Sequence, residues 1–360
     1  MADITADELA RRLEALRESM RREKLDGLIL ASEANVRYVS GFSGSESVLL
    51  VGARSLVLLT DFRYVEEAEN TCPHALVRLH KKGLMRTVAA EARRRRMKRV
   101  GFPAGRLTVL QADQLRQGLG ARRLKRSSGL VERLRLRKSP AEVAAIRNCL
   151  VIAQKAYRSV WRRLRPGMTE SEAAAELEYQ MRRRLGASGP AFETIVAFDA
   201  HASEPHAKPG RKRLRASSIV LVDWGARAGF YNCDLTRTKP IGRIPRKFAK
   251  IRDIVLEAQK RAIEAIRPGV RLRDVDAAAR SFIASQGYGK RFGHGLGHGV
   301  GLEIHEGPYV GARGRGRLEP GMVVTVEPGI YLPGEFGVRI EDMALVTDDG
   351  AEVLSNLPRL

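Results

Sequence analysis

Two hydrophobic periods alternate along the first third of the chain. From Ala6 to Lys24 apolar positions recur at helical spacing among charged ones, and Leu25 to Ala31 follows as a short, nearly continuous apolar run of strand type. Ser47 to Val51, Ser55 to Thr60, Ala75 to Leu79 and Arg99 to Phe102 read as further strands, with a helix expected over Met85 to Lys98. This alternation predicts a small α/β domain over residues 1–134. The basic segment Arg135 to Ser139 then leads into Ser139-Pro140-Ala141-Glu142, a helix start with Ser139 as N-cap, proline at the first helical position and an acid in the first turn. A second domain is expected over residues 135–360.

That second part carries a divergent internal repeat. One predicted helix stops at Leu164-Arg165-Pro166-Gly167-Met168 and another at Ile266-Arg267-Pro268-Gly269-Val270, and each is followed by a helix closing at Gly186 or Gly287. Each frame then contains H-x-x-P: His206-Ala207-Lys208-Pro209 in the first, His305-Glu306-Gly307-Pro308 in the second. A strand pair with two carboxylates comes next, Asp223 and Asp234 in one half, Glu327 and Glu341 in the other. A pseudo-twofold α+β domain would bring both pairs to its axis.

The acids stand where acids fit badly. Ile219 to Trp224 is a β-branched apolar run interrupted by Asp223, and Phe230 to Thr238, its expected hairpin partner, contains Asp234. A four-residue loop at Arg227 to Phe230 is one register the sequence allows, and it would set Asp223 directly opposite Asp234. Val323 to Val326 runs into Glu327, and Val338 to Val346 contains Glu341. Buried carboxylates so placed must share protons or share cations. A salt-bridge network would need arginines at every site, and only Arg237 and Arg339 are local. Carboxylates with an imidazole form the donor set of a hydrolytic dinuclear centre, and Gly293 to Gly299 supplies His294 and His298 on a glycine-rich backbone. That segment is not the G-x-G-x-x-G of a dinucleotide site.

Composition narrows the classes. With 44% hydrophobic and 29% charged residues the chain is neither disordered nor collagen-like. Its longest apolar runs fall far short of the roughly 20 residues of a membrane helix. Residues 1–22 form a charged amphipathic stretch without an apolar h-region, so a cytoplasmic location is expected. Cys72, Cys149 and Cys233 are far apart and form no C-x-x-C pair, which speaks against a disulfide framework or a zinc ribbon. The net charge of +23 invites a nucleic-acid reading. The excess is spread over the whole length, however, and the arginine runs 93–96, 122–126 and 211–215 have few aromatics among them to stack on bases. A solvated basic surface is the expectation, and neither nucleic acid nor membrane is an expected partner.

Taken together, Asp223 to Gly225, Asp234-Leu235-Thr236-Arg237, Gly297-His298-Gly299-Val300-Gly301, His305 to Pro308, Glu327-Pro328-Gly329-Ile330-Tyr331 and Gly337 to Asp342 resemble the motif set of the pita-bread metallopeptidases. That family includes Xaa-Pro aminopeptidases, prolidases and methionine aminopeptidases. Asn35-Val36-Arg37-Tyr38 and Gly41-Phe42-Ser43-Gly44 resemble the creatinase-type N-terminal domain of its proline-specific branch. The resemblance implies Asp223, Asp234, His298, Glu327 and Glu341 as ligands of two divalent ions, with Asp234 and Glu341 bridging. Manganese is the expected metal, with cobalt, zinc or iron as alternatives.

By the same resemblance Glu327 would accept the proton of the attacking water, while His206 and His305 would bind the substrate carbonyl and help protonate the leaving nitrogen. His294, Tyr331 and Arg339 would line the substrate cavity, although Arg339 could instead hold the carboxylates. The expected activity is removal of an N-terminal residue from peptides with proline at the second position, by a homodimer. Cleavage of X-Pro dipeptides is the alternative. A non-catalytic scaffold that binds through its basic surface, or a metal-free creatinase-like hydrolase, is the more distant one, since such proteins lack the ligand set retained here.

Overall fold

The first helix, α1, forms over Ala6–Arg22, where Thr5 caps it by accepting from Glu8 N and Leu16 and Met20 face the interior. The computed structural model describes residues 4–81, 83–243 and 245–359, which divide into one unit up to Arg135 and another from Leu136 onward. After α1 the first unit runs β1 (Gly27–Leu30), α2 (Glu33–Ser40), β2 (Ser47–Gly52), β3 (Leu56–Thr60), α3 (Val65–Thr71) and β4 (Leu76–Leu79). It continues with α4 (Leu84–Arg94), β5 (Val100–Pro103), α5 (Val109–Leu119), β6 (Leu124–Ser127) and α6 (Leu130–Arg135). The strands form one mixed sheet in the order β4-β3-β2-β1-β5-β6. Antiparallel pairs lie at its centre, β1 with β2 and β2 with β3, and parallel pairs lie towards the edges. Residues from β1, β2, β3 and β5 pack with Val88, Ala89 and Leu115 of α4 and α5 into the core of this unit.

The second unit begins with α7 (Pro140–Trp161), where Ser139 and Glu142 form a reciprocal capping box around the proline. Then come α8 (Glu170–Tyr179), β7 (Gly189–Pro190), β8 (Ile195–Phe198), β9 (Ser218–Trp224), β10 (Ala226–Ala228), β11 (Tyr231–Asn232) and β12 (Leu235–Ile241). The second half repeats the order with α9 (Arg246–Ala265), α10 (Leu272–Ser285), β13 (Gly297–Gly299), β14 (Glu306–Val310) and β15 (Val323–Val326). It ends with β16 (Gly329–Leu332), β17 (Phe336–Arg339), β18 (Asp342–Val346) and β19 (Ala351–Val353). The main sheets are β12-β9-β8 in one half and β14-β13-β15-β18-β19 in the other, all with antiparallel neighbours.

Hydrogen bonds make the repeat visible. Gly167 N donates to Leu214 O at 2.9 Å and Gly269 N to Leu318 O at 2.8 Å. Arg213 Nη1 reaches Gly167 O at 2.7 Å, and Arg317 Nη1 reaches Gly269 O at 2.6 Å. The Pro-Gly turn after the first helix of each half is therefore fastened in the same way. The halves join where Glu341 N donates to Thr236 O at 3.1 Å, an isolated bridge between the two sheet systems. Among the described residues no helix is long and apolar enough to cross a membrane.

The hairpin register, which the sequence leaves open, differs from the four-residue-loop possibility. β10 and β11 close with a two-residue turn, Gly229 and Phe230, both at positive φ (57° and 72°). In the continuous register Asp223 lies opposite Thr236 rather than Asp234. Phe230 is a side chain that rarely enters this region, so its residue type gave no sign of the shorter turn. The two acids are offset by two positions across the strand pair.

Candidate metal centre

All four strand acids line one cavity of about 960 Å³, together with His206, His294, His298, His305, Tyr331 and Arg339. Asp223 sits inside β9, Asp234 in the break between β11 and β12, Glu327 just beyond β15 and Glu341 between β17 and β18. Each acid is thus delivered at or next to the end of an apolar strand that the core holds still. Asp234, His298 and Glu341 each offer a ligand atom within 4.8 Å of the others. His298 Nε2 lies 3.6 Å from Asp234 Oδ2 and 3.4 Å from Glu327 Oε1.

The glycines around His298 answer a steric demand. A Cβ on Gly297 would run into the carbonyl oxygen of Thr325, and one on Gly299 into that of Gly307. β13 is squeezed between neighbours, and the bulge between His298 and Gly299 aims the imidazole at the acids. His298 Nδ1 contacts Gly299 O at 3.1 Å, an acceptor only, so Nδ1 carries the hydrogen and the Nε2 lone pair faces the carboxylates. Burial, then the neighbouring His305, lowers the His298 pKa to about 4, which keeps the ring neutral.

The electrostatics leave a cation deficit. Burial, then the charges of Asp223 and Glu327, push the Asp234 carboxyl well above its ordinary value. Burial and then Asp234 do the same to Glu341, and burial raises Glu327 to about 7. Against four carboxylates stands Arg339, whose Nη2 binds Asp223 Oδ2 at 2.5 Å and whose Nη1 donates to Tyr331 OH at 2.7 Å. Arg339 therefore both lines the cavity and holds an acid. Arg237, the other nearby arginine, gives its hydrogens to Asp342 and to the backbone carbonyls of Thr236, Glu341, Leu357 and Pro358, and to none of the four carboxylates. Asp223 Oδ1 and Glu341 Oε1 are buried with no hydrogen-bond partner. Buried anionic oxygens left bare beside a lone imidazole nitrogen are the donor set of a hard or borderline divalent ion, so the residues fit such a group.

Thr236 and Thr325 support this cluster and were missed in the sequence. Thr236 Oγ1 donates to Glu341 Oε2 at 2.7 Å; Thr325 Oγ1 accepts from His298 N at 3.0 Å and donates to Glu327 Oε1 at 3.1 Å. Each stands two positions along the chain from an acid that adjoins its strand, Asp234 before β12 and Glu327 after β15, a spacing that could have flagged both. Arg313 and Arg315, in the loop after β14, also line the cavity. Their sequence signal is an arginine-glycine alternation following the second H-x-x-P. His206 and His305 are exposed at the cavity wall, and the His305 ring lies 4.4 Å from that of His298. Glu306, next to His305, is tied by Lys138 Nζ at 3.0 Å.

Metallopeptidase family M24 matches residues 144–348, and the creatinase/prolidase N-terminal domain matches residues 12–137. The chain belongs to this metallopeptidase family. It is a metal-dependent hydrolase with a pita-bread C-terminal unit and a creatinase-type N-terminal unit. An Xaa-Pro dipeptidase of Pyrococcus furiosus is 35% identical over 350 residues, covering 97% of this chain and 98% of that protein. The structure of an Xaa-Pro dipeptidase from Bacillus anthracis superposes with a TM-score of 0.94 at 37% identity, covering 98% of this chain and 99% of that one. An X-Pro aminopeptidase from Thermotoga maritima gives 0.90 at 35% identity, with 96% and 98% covered. Family M24 membership makes divalent metal and peptide substrates part of this chain's chemistry.

Proposed function

We propose that this family M24 hydrolase cleaves the imide bond of X-Pro dipeptides. The observation that carries the choice is the pair Arg313 and Arg315 on the wall of the cavity that holds the acids. A dipeptide ends in a free carboxylate close to its scissile bond, and guanidinium forks are the side chains best suited to take it. The relatives named as dipeptidases support the same reading. X-Pro aminopeptidase activity is the second reading, favoured by the size of the cavity, which exceeds what a dipeptide fills, and by the Thermotoga relative.

In this reading Asp223, Asp234, His298, Glu327 and Glu341 would hold two divalent ions. The oxygen-rich set with one imidazole suits manganese, cobalt, iron or zinc, and manganese is the proposed ion. When bound, the ions acidify water and polarise the substrate carbonyl. Glu327, whose carboxyl has a raised proton affinity, takes the proton of the attacking water. His305 and His206 hydrogen-bond the carbonyl oxygen as it gains charge and deliver a proton to the proline nitrogen, which has no hydrogen of its own and must acquire one to leave. His294 and Tyr331 shape the substrate side, and Arg339 keeps Asp223 in place. The free thiols Cys72, Cys149 and Cys233 agree with action in the reducing cytoplasm. The homodimer implied by the family resemblance belongs to the same reading, and sedimentation reads it out.

Incubation of the manganese-loaded protein with Gly-Pro and with a longer Gly-Pro peptide tests the choice. Faster release of glycine from the dipeptide is expected. Preference for the longer peptide would reverse the two readings, and cleavage of neither would overturn both.

A further inference from the structure

In the cavity wall between residues 292 and 298, Phe292 and Leu296 are buried in the core and Leu296 O accepts from Glu327 N at 2.9 Å, which leaves residues 293–295 between them with least to hold them. Gly293 and Gly295 flank His294 and offer no side chain to pack, and glycine carries the largest backbone entropy to be lost on ordering. Much of what holds this stretch comes from α10. Asp276 is buried, at 1% exposure, and forms a two-pronged pair with Arg280 one turn later: Nε to Oδ2 at 2.7 Å and Nη2 to Oδ1 at 2.8 Å. From this anchored position Arg280 donates Nη1 to Phe292 O at 2.9 Å and Nη2 to His294 O at 2.7 Å, while Asp276 Oδ1 accepts from Leu296 N at 3.1 Å. The Arg280 guanidinium also lies 4.2 Å over the Phe292 ring, which meets the His294 ring edge-on at 5.0 Å. Three backbone groups of one glycine-rich segment are therefore fixed by one ion pair.

The held imidazole has a defined state. Nδ1 lies 2.8 Å from Gly295 O, an acceptor, and so carries the hydrogen. Nε2 lies 3.0 Å from Tyr331 OH, which already accepts from Arg339 and so points its own hydrogen at His294. Arg339 in turn grips Asp223. A continuous path of contacts runs from α10 to the acid cluster.

We propose that Asp276 and Arg280 act as a clamp that positions His294 for substrate, Asp276 acting wholly through Arg280 and the 292–296 segment. The proposal rests on the reading of His294 as a substrate-facing residue. Asp276 does not line the cavity, so it is a positioning residue and not a catalytic one.

The test is a double-mutant cycle of Asp276→Asn with His294→Ala, using the full metal-loaded chain and an X-Pro dipeptide. In the wild-type background D276N is expected to lower kcat/KM on the order of 10²-fold, the scale of a misplaced binding group. In the H294A background it should cost less than about threefold more, since the clamp has nothing left to position. A second readout needs no turnover. Imidazole 1H–15N spectra of the zinc-loaded protein, with His294 assigned by its loss in H294A, should show a single Nδ1–H tautomer that becomes a mixture in D276N. Should D276N not fold, Arg280→Lys keeps the charge but loses the fork, and the same tautomer mixing is expected with a melting temperature near that of wild type. Wild-type kinetics with an unchanged His294 spectrum would overturn the clamp. So would a D276N loss that adds in full to that of H294A. If the wild-type protein cleaves no X-Pro peptide, the functional reading falls, and the tautomer spectrum alone then decides for or against the clamp.

Discussion

Thr325 shows how much a single hydroxyl does at this centre, taking a hydrogen bond from His298 N and giving one to Glu327. Thr325→Val keeps the shape and removes both. Such a change in a supporting residue is expected to weaken divalent-ion affinity by about tenfold, measurable by calorimetric titration of the metal-free protein. Gly299→Ala is the steric counterpart. Its Cβ meets the Gly307 carbonyl, and overpacking of this kind should cost about 1–3 kcal/mol in urea unfolding, with the His298 side of the centre displaced. At this scale the acids and His298 were legible because a carboxylate inside an apolar strand, or a histidine between glycines, breaks a local rule. Arg313 and Arg315 left only a faint arginine-glycine alternation, and the Asp276–Arg280 pair left no sign at all. An arginine on a loop, or an acid and an arginine at i and i+4 of a helix, looks the same in sequence whether it faces water or orders a cavity wall.

Among the elements, most long helices were readable, α5 excepted, whose eleven residues carry a weak apolar face, and the start of α7 was readable down to its cap. Ser139 accepts from Glu142 N while Glu142 accepts from Ser139 N, so Ser139→Ala should cost about 1 kcal/mol in urea or thermal unfolding. Short helices escaped notice. α2 and α6 hold eight and six residues, too few for a 3.6-residue period to declare itself, and both are fixed by packing within their unit. Asn35 of α2 binds Glu132 of α6 at 2.9 Å, and its Oδ1 accepts from Arg135 at 2.8 Å. The hairpin register stayed open in the sequence for a different reason. Gly229 advertises a turn, but the second left-handed residue is Phe230, and that conformation is imposed by the strand twist on either side rather than encoded in the residue.

For the whole molecule, the cluster makes stability depend on pH in a metal-dependent way. The Glu327 carboxyl titrates near 7 when folded, against 4.5 as its ordinary value. Because the folded value is the higher, its contribution is fully present below about 4.5 and is lost as pH rises through about 7. Asp234 and Glu341, also raised, act in the same direction. His294 and His298, lowered from 6.5 to about 4, act in the other direction, their contribution being present above 6.5 and lost as pH falls toward 4. With chelator present, the melting temperature should therefore be lower at pH 8 than at pH 6. Excess manganese, which binds the folded cluster in competition with protons, should abolish or invert that difference. An unchanged pH profile on adding the ion would contradict ligation by these acids.

The bridge between Thr236 and Glu341 has a further consequence. The two frames contribute equal numbers of acids, and beside that seam Thr238 Oγ1 donates to Arg339 O at 2.9 Å and Arg339 Nη2 reaches across to Asp223, so the full set of four exists only while the two frames stay joined. His298 and the glycines beside it stand in one frame alone, so the centre is lopsided although the acids are shared evenly.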